Sequence, residues 1–454
     1  MKMIFDVKDK PKFSQLIVFA FQQLLAIMAA TIAVPMIVGH GMSTSAALFG
    51  AGIGTLVYVA FTKAKSPVFL GSSFAFLGSM AAAFGGGIAV GLGFLGLIIG
   101  AVFAGLVYVV IAIIVKAVGV KWISKIMPAV VIGPTVAIIG LSLAGNAISD
   151  LGATPEKFAN APSPFTQYAC ILCGLVTLAV TMLCSVYGKK MGKLIPFIIG
   201  ILAGYATASV LYIIGTVTGH DSIKVIDYSA LTSLFEKISI SSFIAVPDFT
   251  FLKAFGSFGA LTPAYIGTIA VAFIPVAFVV FAEHIADHKN LSSIIEHDLL
   301  EDPGLSRTLL GDGVGSMVGA VFGGCPNTTY GESVGCVAIT KNASVRTIIC
   351  TAIEAMIISF IAPFVGFLST IPACVMGGVC IALYGFIAVS GLKMLQKVDL
   401  DDNRNLFTAS VILIAGVGGM VLNFGNVTIT EVACALILGI LTNVMLGRKK
   451  KEEK

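Results

Sequence analysis

Two short polar stretches interrupt an otherwise apolar chain, and they contain the residue types that can do chemistry. Residues 281–288 read FAEHIADH, and residues 326–332 read PNTTYGE. Ionisable side chains at membrane depth are energetically costly, so they usually serve a function there. Removal from water disfavours the charged form of a carboxylate, which can then bind a proton near neutral pH. The two stretches therefore predict a site that handles a polar substrate and a proton.

The composition is that of a membrane protein. Hydrophobic residues make up 57% of the 454 residues and charged residues only 11%, and the mean hydropathy is +1.01. A soluble protein carries about a quarter charged residues. Apolar runs of about 18 or more residues, each long enough to cross a bilayer, recur along the whole chain. The sequence therefore predicts an all-α polytopic membrane protein that forms a single membrane unit.

The apolar runs predict fourteen transmembrane spans. Their boundaries are 15–38, 44–62, 68–84, 88–115, 124–146, 166–187, 194–218, 263–288, 308–323, 327–341, 347–366, 373–392, 406–423 and 429–446. If the N-terminus is cytoplasmic, all but four of the 28 Lys and Arg residues fall in cytoplasmic segments. Both termini are then cytoplasmic. The net charge of +5 reflects this topology, so we infer no nucleic-acid partner from it.

The chain divides near residues 220–260 into two halves of seven spans. An odd number of spans per half predicts that the second half is inverted, and inverted repeats place a site at their interface, built from interrupted helices. The third span opens with Pro67 and Gly71 and the tenth with Pro326 and Gly331, each as a short extended stretch before a short helix. Surface loops between ordinary helices are the alternative. The predicted units are residues 1–220, an extracellular loop at 221–262, and residues 263–454.

Six stretches carry a resemblance to a known family. They are QQLLAIMAATIAVP (22–35), LGSSFAF (70–76), AEHIADH (282–288), DPGLSRTLLGDG (302–313), PNTTYGESVG (326–335) and ALYGFIAVSG (382–391). In this order they resemble the nucleobase–ascorbate transporter family, also called nucleobase–cation symporter 2, and most closely its bacterial uracil permeases. The resemblance implies a substrate-binding core of spans 1–4 and 8–11 and a gate of spans 5–7 and 12–14. It also implies proton-coupled nucleobase uptake across the cytoplasmic membrane, by a homodimer surrounded by membrane lipid.

The resemblance also implies roles for single residues. Substrate contacts are implied for Phe74, Glu283, Glu332 and Tyr384. His288, five residues after Glu283, matches the histidine that follows the family's A-E-H stretch.

Three positions depart from the family pattern. Gln23 stands where the uracil permeases have His, and Ser333 where the signature favours Asn. Asp287, one residue before His288, stands where Gly is common. The first two departures concern substrate choice, and the third concerns the proton path.

The chemistry of uracil suits these residues. The base is planar and neutral, with two N–H donors and two carbonyl acceptors. Two acceptor-only carboxylates, Glu283 and Glu332, match the donors. Backbone N–H groups near Phe74 and Gly331, where short helices begin, match the carbonyls. We expect the rings of Phe74 and Tyr330 to pack against the base.

Proton coupling is expected on the helix that contains Glu283. Glu283 and Asp287 share a helix face, whereas His288 lies five residues from Glu283 and about 140° around the axis. We predict Glu283 as the proton carrier and His288 as its partner, with Asp287 as a further candidate. For Asp287 and His284 the favoured alternative is a position at the cytoplasmic end of the helix, with the polar group in water.

An enzyme is the first alternative function. Glu283, His284 and His288 read E-H-x-x-x-H, whereas a zinc metalloprotease needs H-E-x-x-H, and no third ligand stands out. Cys170 and Cys173 form a lone C-x-x-C on an apolar helix, which favours small buried side chains over a metal site. We therefore expect no enzyme activity, no metal and no cofactor.

Two other transport functions remain open. Purine transporters of the family tend to carry Gln at the position of Glu332, so the resemblance favours a pyrimidine over xanthine or urate. An anion exchanger on the same architecture is disfavoured, because two carboxylates facing the site would repel an anion.

Overall fold

Helices dominate the structure, a computed structural model that describes residues 3–119, 122, 128–155, 164–189, 191–424 and 427–447. The helices of the first half are α1 (Phe13–Val38), α2 (Thr44–Phe61), α3 (Leu77–Ala83), α4 (Val90–Val118), α5 (Ala129–Ser142), α6 (Ala144–Leu151), α7 (Pro164–Tyr187), α8 (Met191–Leu194) and α9 (Pro196–Thr218). Two short helices follow, α10 (Ser229–Glu236) and α11 (Thr250–Ala254). The helices of the second half are α12 (Pro263–Ile295), α13 (Leu305–Gly323), α14 (Gly331–Thr340), α15 (Val345–Ile358), α16 (Ala362–Ser369), α17 (Ala373–Leu395), α18 (Asn403–Val417) and α19 (Glu431–Gly447). The strands are β1 (Leu70–Ser72), β2 (Asn327–Thr329), β3 (Leu422–Phe424) and β4 (Val427–Ile429).

Eight helices of the described residues are long and apolar enough to cross a membrane. They are Phe13–Val38, Thr44–Phe61, Val90–Val118, Ala129–Leu151, Phe165–Tyr187, Pro196–Thr218, Pro263–Ile295 and Ala373–Leu395. A helix satisfies its own backbone hydrogen bonds, as hydrocarbon surroundings require. The prediction of a mostly helical, polytopic membrane protein is confirmed at this level.

Caps and glycines set several helix ends. The hydroxyl of Ser43 accepts a hydrogen bond from the backbone N–H of Ala46 and thereby starts α2. At the other end, α1 stops at Gly39 and α4 at Gly119, both of which have positive φ. Glycine reaches that conformation without the steric cost that a Cβ imposes. These local signals explain why the observed ends lie close to the predicted ones.

Several predicted spans differ from the observed helices. The predicted span 124–146 is two helices, α5 and α6, which meet at Leu143, and residues 124–127 lie outside the described part of the chain. The predicted span 347–366 is likewise divided, into α15 and α16. The predicted span 263–288 continues to Ile295, where Glu296 ends the helix with a φ of 54°. The predicted loop at 221–262 contains α10 and α11.

The two predicted interruptions are confirmed as extended segments. β1 is followed by a 3-10 turn at Phe74–Phe76 and then by α3, and β2 is followed directly by α14. The two strands pair antiparallel, with Gly71 opposite Thr328. Their backbone groups are thus satisfied by each other, and the bilayer interior tolerates extended backbone when it is buried in this way.

The helices pack as two groups. The first contains α1–α4 and α12–α15, with α2 packed most extensively on α13. The second contains α5–α9 and α17–α19, with α5 packed on α17. Small residues let α2 and α13 approach closely, because a Cβ at Gly54 would lie only 2.7 Å from the carbonyl oxygen of Gly315. Between the groups, α12 contacts α5 and α19.

Candidate functional site

The pairing of β1 with β2 builds the centre of the candidate site. It joins two segments from opposite halves of the chain, so the helices that follow, α3 and α14, begin beside each other. The ring of Tyr330 lies directly over Gly71, where any Cβ would collide with it. The Tyr330 hydroxyl donates a hydrogen bond of 2.7 Å to the carbonyl of Ser72. Glycine is therefore required at position 71 for Tyr330 to take this place.

A cavity of about 360 Å³ opens next to this strand pair. Small-molecule sites are typically clefts of roughly 300–1,000 Å³. The wall from the first helix group includes Phe74, Glu283, Asp287, Tyr330 and Glu332, and Gly331 lies between the last two. The second helix group forms the opposite wall, with side chains of α5, α9 and α17. The cavity thus lies between the two groups.

Three carboxylates face this cavity. Glu283 and Asp287 lie one turn apart on α12, and Glu332 lies in the first turn of α14. Each is half-buried. Asp287 accepts a hydrogen bond of 2.9 Å from the hydroxyl of Thr329. The carboxylate of Glu283 makes no hydrogen bond to another residue that the structure describes, so it remains available to a ligand.

Aromatic rings form the floor of the cavity near α3. Phe74 is 9% exposed, and its ring meets that of Tyr384 edge-on, with 6.0 Å between the ring centroids. Tyr384 is buried and does not line the cavity itself. Its position is therefore behind Phe74, where it supports the ring and does not contact a ligand in this conformation.

His288, the predicted proton-coupling partner of Glu283, does not line the cavity. It is fully buried, with Nε2 2.7 Å from the Tyr58 hydroxyl and Nδ1 2.8 Å from the carbonyl oxygen of His284. Five helical residues turn the side chain about 140°, which puts it on the opposite side of α12 from Glu283. Asp287, at four residues, occupies the position next to Glu283 instead.

His284 and Asp287 are also not at a water-exposed helix end. His284 is fully buried between α12 and α13, where Nδ1 lies 2.7 Å from Asp312 and Nε2 lies 3.0 Å from the Thr308 hydroxyl. The expectation of a helix end in water was therefore wrong for both residues. His284 and Asp312 instead form a buried contact that joins two helices of the first group.

Two departures from the family pattern contact each other. The Gln23 side-chain N–H donates a hydrogen bond of 2.5 Å to the Ser333 hydroxyl oxygen, which also accepts one of 3.0 Å from the backbone N–H of Phe69. Gln23 and Ser333 are both buried and neither lines the cavity. They therefore hold α1, α14 and the segment before β1 together behind the site.

The cavity residues that come from the second helix group were not predicted from the sequence. Phe197 at the start of α9 and Ser390 and Met394 near the end of α17 line it. Ser390 belongs to the stretch ALYGFIAVSG, which carried the resemblance and was the available signal. Phe197 follows a proline in an apolar run, and nothing local distinguishes it from a lipid-facing residue.

Comparison with solved structures shows the fold. The transmembrane domain of the cyanobacterial bicarbonate transporter BicA is similar with a TM-score of 0.62 at 14% identity, covering 96% of this chain and 99% of that one. The murine anion transporter Slc26a9 in an inward-facing state also has a TM-score of 0.62, at 12% identity, covering 97% of this chain and 69% of that one. At such identities the likeness establishes a membrane-transporter fold and no substrate.

Sequence comparison identifies the family. The uracil permease of Bacillus caldolyticus is 38% identical over 456 residues, covering 100% of this chain and 97% of that protein. The uracil permease of Escherichia coli (strain K12) is 35% identical over 439 residues, covering 96% of this chain and 92% of that protein. A family model described as "Permease family" matches residues 14–424. The chain therefore belongs to this permease family, the nucleobase–ascorbate transporters that its motifs resemble, and it is an integral membrane transporter and not an enzyme.

Proposed function

We propose that this protein takes up a nucleobase, with uracil as the preferred substrate, together with a proton across the cytoplasmic membrane. One observation carries the proposal: a cavity between two helix groups, which Glu283, Asp287 and Glu332 line together with Phe74. The uracil permeases at 38% and 35% identity support a pyrimidine over a purine such as xanthine or urate.

Recognition of the base is assigned to α12 and α14. Glu283 and Glu332 accept hydrogen bonds from the two ring N–H groups, because carboxylates are acceptors only. Backbone N–H groups near Phe74 and Gly331 donate to the carbonyls, supported by the positive ends of the short helices. Tyr330 and Phe74 pack against the base. An analogue that lacks one N–H leaves a buried acceptor unpaired, which is a strong basis for selectivity.

Proton coupling is assigned to Glu283 with Asp287 as its neighbour. Two carboxylates that face one cavity cannot easily both be charged, so binding a proton lowers their mutual repulsion. The hydrogen bond from Thr329 to Asp287 favours charge on Asp287 and leaves the proton to Glu283. His288 keeps only an indirect role in this proposal, through its buried contacts with α2.

The arrangement of the helices in two groups supports alternating access. We assign fourteen spans in two inverted repeats, residues 1–220 and 263–454, joined by an extracellular loop at 221–262, with both termini cytoplasmic. The first helix group is the substrate-binding core and the second is the gate, and rocking of one against the other would open the cavity alternately. Met394, one residue before the end of α17, lines the cavity on the side that this topology makes cytoplasmic. The assembly in the membrane is proposed to be a homodimer.

Uptake of labelled uracil into energised cells or vesicles tests the proposal. We expect excess unlabelled uracil to compete, purines to compete weakly, and a protonophore to abolish accumulation. Uptake that persists with a protonophore and requires sodium would contradict proton coupling. Stronger competition by xanthine or urate than by uracil would favour the purine alternative, and competition by inorganic anions alone would favour an anion exchanger.

A further inference from the structure

The polar segment before α1 is fixed in place and does not form a free tail. Residues 4–9 run beside residues 341–345, the turn between α14 and α15. The hydrogen bonds that join them include Ile4 N to Lys341 O (2.8 Å), Ala343 N to Phe5 O (2.8 Å), Val345 N to Val7 O (3.1 Å) and Ser344 Oγ to Asp9 O (2.7 Å). This pairing holds the segment against the protein, where it forms a wall beside the start of α1.

A groove of about 690 Å³ lies between this wall, the turn after α2 and the first turns of α1 and α15. Four basic side chains line it, namely Lys8, Lys63, Lys65 and Arg346. None of the residues that line it is acidic. The rest of the lining is mainly apolar and includes Leu16, Ile349 and Ile353. Along α15 the lining therefore changes from cationic at Arg346 in the first turn to apolar at Ile349 and Ile353, one and two turns later.

Part of this positive charge is not neutralised by the protein, although Asp302 interacts with both Lys65 and Lys8. Lys65 forms an ion pair of 2.5 Å with Asp302, and its ammonium group holds the pKa of that carboxyl below its usual range. Within the described part of the chain, Lys8, Lys63 and Arg346 form no salt bridge. Arg346 also stands in the first turn of α15, where the helix dipole disfavours a cation. An anion in the groove would pair with the unneutralised basic groups and would also offset the unfavourable interaction of Arg346 with the helix dipole.

The apolar end of the groove leads onto the lipid-facing side of α15. Ile353 is 45% exposed, and Ile357, one turn further along, is 59% exposed. These side chains face hydrocarbon once the helix is in a bilayer. A soluble anion would use only the basic end, whereas a phospholipid uses both ends, because its phosphate and its acyl chain are joined.

We propose that this groove is a binding site for an anionic glycerophospholipid, with the phosphate among Lys8, Lys63 and Arg346 and an acyl chain along Ile349 and Ile353. Basic pockets between transmembrane helices are known to suit anionic headgroups. If these basic residues only set the orientation of the chain in the membrane, the groove would bind anionic and zwitterionic lipids equally well. All groove residues belong to the first helix group and its N-terminal segment, so the bound lipid strengthens that group and leaves the cavity free.

Native mass spectrometry of the full-length protein tests the site. The protein is titrated with phosphatidylglycerol and, separately, with phosphatidylethanolamine of the same acyl chains. We expect tighter binding of phosphatidylglycerol. Each basic residue near an anionic lipid contributes about a factor of five, so Lys63→Gln with Arg346→Gln should weaken that binding roughly thirtyfold. Binding of phosphatidylethanolamine should change little.

Two control variants distinguish a specific lipid site from a general effect of positive charge. Lys63→Arg with Arg346→Lys keeps both charges and should retain the preference. Lys393→Gln with Lys397→Gln removes two exposed charges near the end of α17, outside the groove, and should also retain it. Equal binding of the two lipids by the parent protein overturns the proposal, as does an equal loss in the Lys393/Lys397 variant. Displacement of the bound lipid by millimolar inorganic phosphate would identify a soluble-anion site instead.

Discussion

At the scale of single residues, the site is defined by three carboxylates on one cavity surface. Glu283 and Asp287 come from one face of α12, and Glu332 comes from the first turn of α14. Among these three, and within the described part of the chain, Asp287 is the one whose carboxylate accepts a hydrogen bond from another side chain, the hydroxyl of Thr329. In the proposed mechanism this difference corresponds to a division of roles, in which Glu332 holds the base, Glu283 carries the proton and Asp287 stays charged.

Glu332→Gln should weaken uracil binding by roughly ten- to a hundredfold. A hydrogen bond to a charged group is worth about 1.5–3 kcal/mol, and the amide replaces an acceptor oxygen with a donor. Calorimetric titration of the purified protein with uracil measures the change, with thermal stability as a check on folding. Unchanged affinity in a folded variant would mean that Glu332 does not face the base.

Glu283→Gln should retain part of the uracil binding and lose accumulation against a gradient. The amide resembles the protonated carboxyl in shape and cannot release a proton. Binding to purified protein and accumulation in energised vesicles are compared with Asp287→Asn as the matched variant on the same helix face. If Glu283→Gln still accumulates uracil while Asp287→Asn does not, Asp287 is the proton carrier.

At the scale of elements, the strand pair β1–β2 positions the start of two short helices at one point. Its outer edge is held by α2, where the Thr55 hydroxyl accepts a hydrogen bond of 2.9 Å from the backbone N–H of Leu70. Its far side is held by Gln23 and Ser333. Small displacements of this pair would therefore move the cavity wall directly.

Gly71→Ala should reduce uracil binding and transport at least tenfold. The new methyl group meets the ring of Tyr330, so either the ring or β1 must move. Gly78→Ala is the matched control in the same interrupted span, because its Cβ would meet only a Glu431 oxygen at an ordinary 3.7 Å. Equal uptake by the two variants would show that the position of Tyr330 does not matter for transport.

Ser333→Ala should lower stability by about 1–3 kcal/mol, because the backbone N–H of Phe69 loses its acceptor in a buried place and the Gln23 side chain keeps only a 3.4 Å contact with the Ser333 carbonyl oxygen. Thermal unfolding in detergent measures this loss. Ser369→Ala, at the exposed end of α16, is the control and should change little. A Ser333→Ala protein as stable as the parent would argue that water reaches these groups.

At the scale of the whole molecule, two groups of helices enclose the cavity from opposite sides. The carboxylates and the strand pair belong to the first group, while α9 and α17 of the second group supply only uncharged lining. The charged lining residues therefore belong to one helix group, and the proposed alternating access moves this group against the uncharged wall of the other.

Ser390→Trp should block uracil uptake while the protein remains folded. Ser390 faces the cavity from α17, and an indole ring there would fill space that the substrate needs. Val389→Trp is the matched control, because Val389 is 49% exposed and does not line the cavity. Uptake by Ser390→Trp equal to that of the control would place the transport path elsewhere.

The sequence by itself determined the membrane class, most helix positions, the two interruptions and the family. These features depend on local patterns: apolar length sets a span, and proline and glycine set a break. Glu283, Glu332 and Phe74, which line the cavity, were also predicted as candidate site residues in this way, because polar or motif residues inside apolar spans stand out.

Only the tertiary structure decided which residues meet. The pairing of β1 with β2, the contact of Gln23 with Ser333, and the place of Tyr384 behind Phe74 join parts of the chain hundreds of residues apart, and no local pattern encodes such contacts. The same holds for α12, where periodicity separates the directions of Asp287 and His288 but does not say which one faces the cavity. In the folded protein His288 packs against Tyr58 of α2, whereas Asp287 lines the cavity.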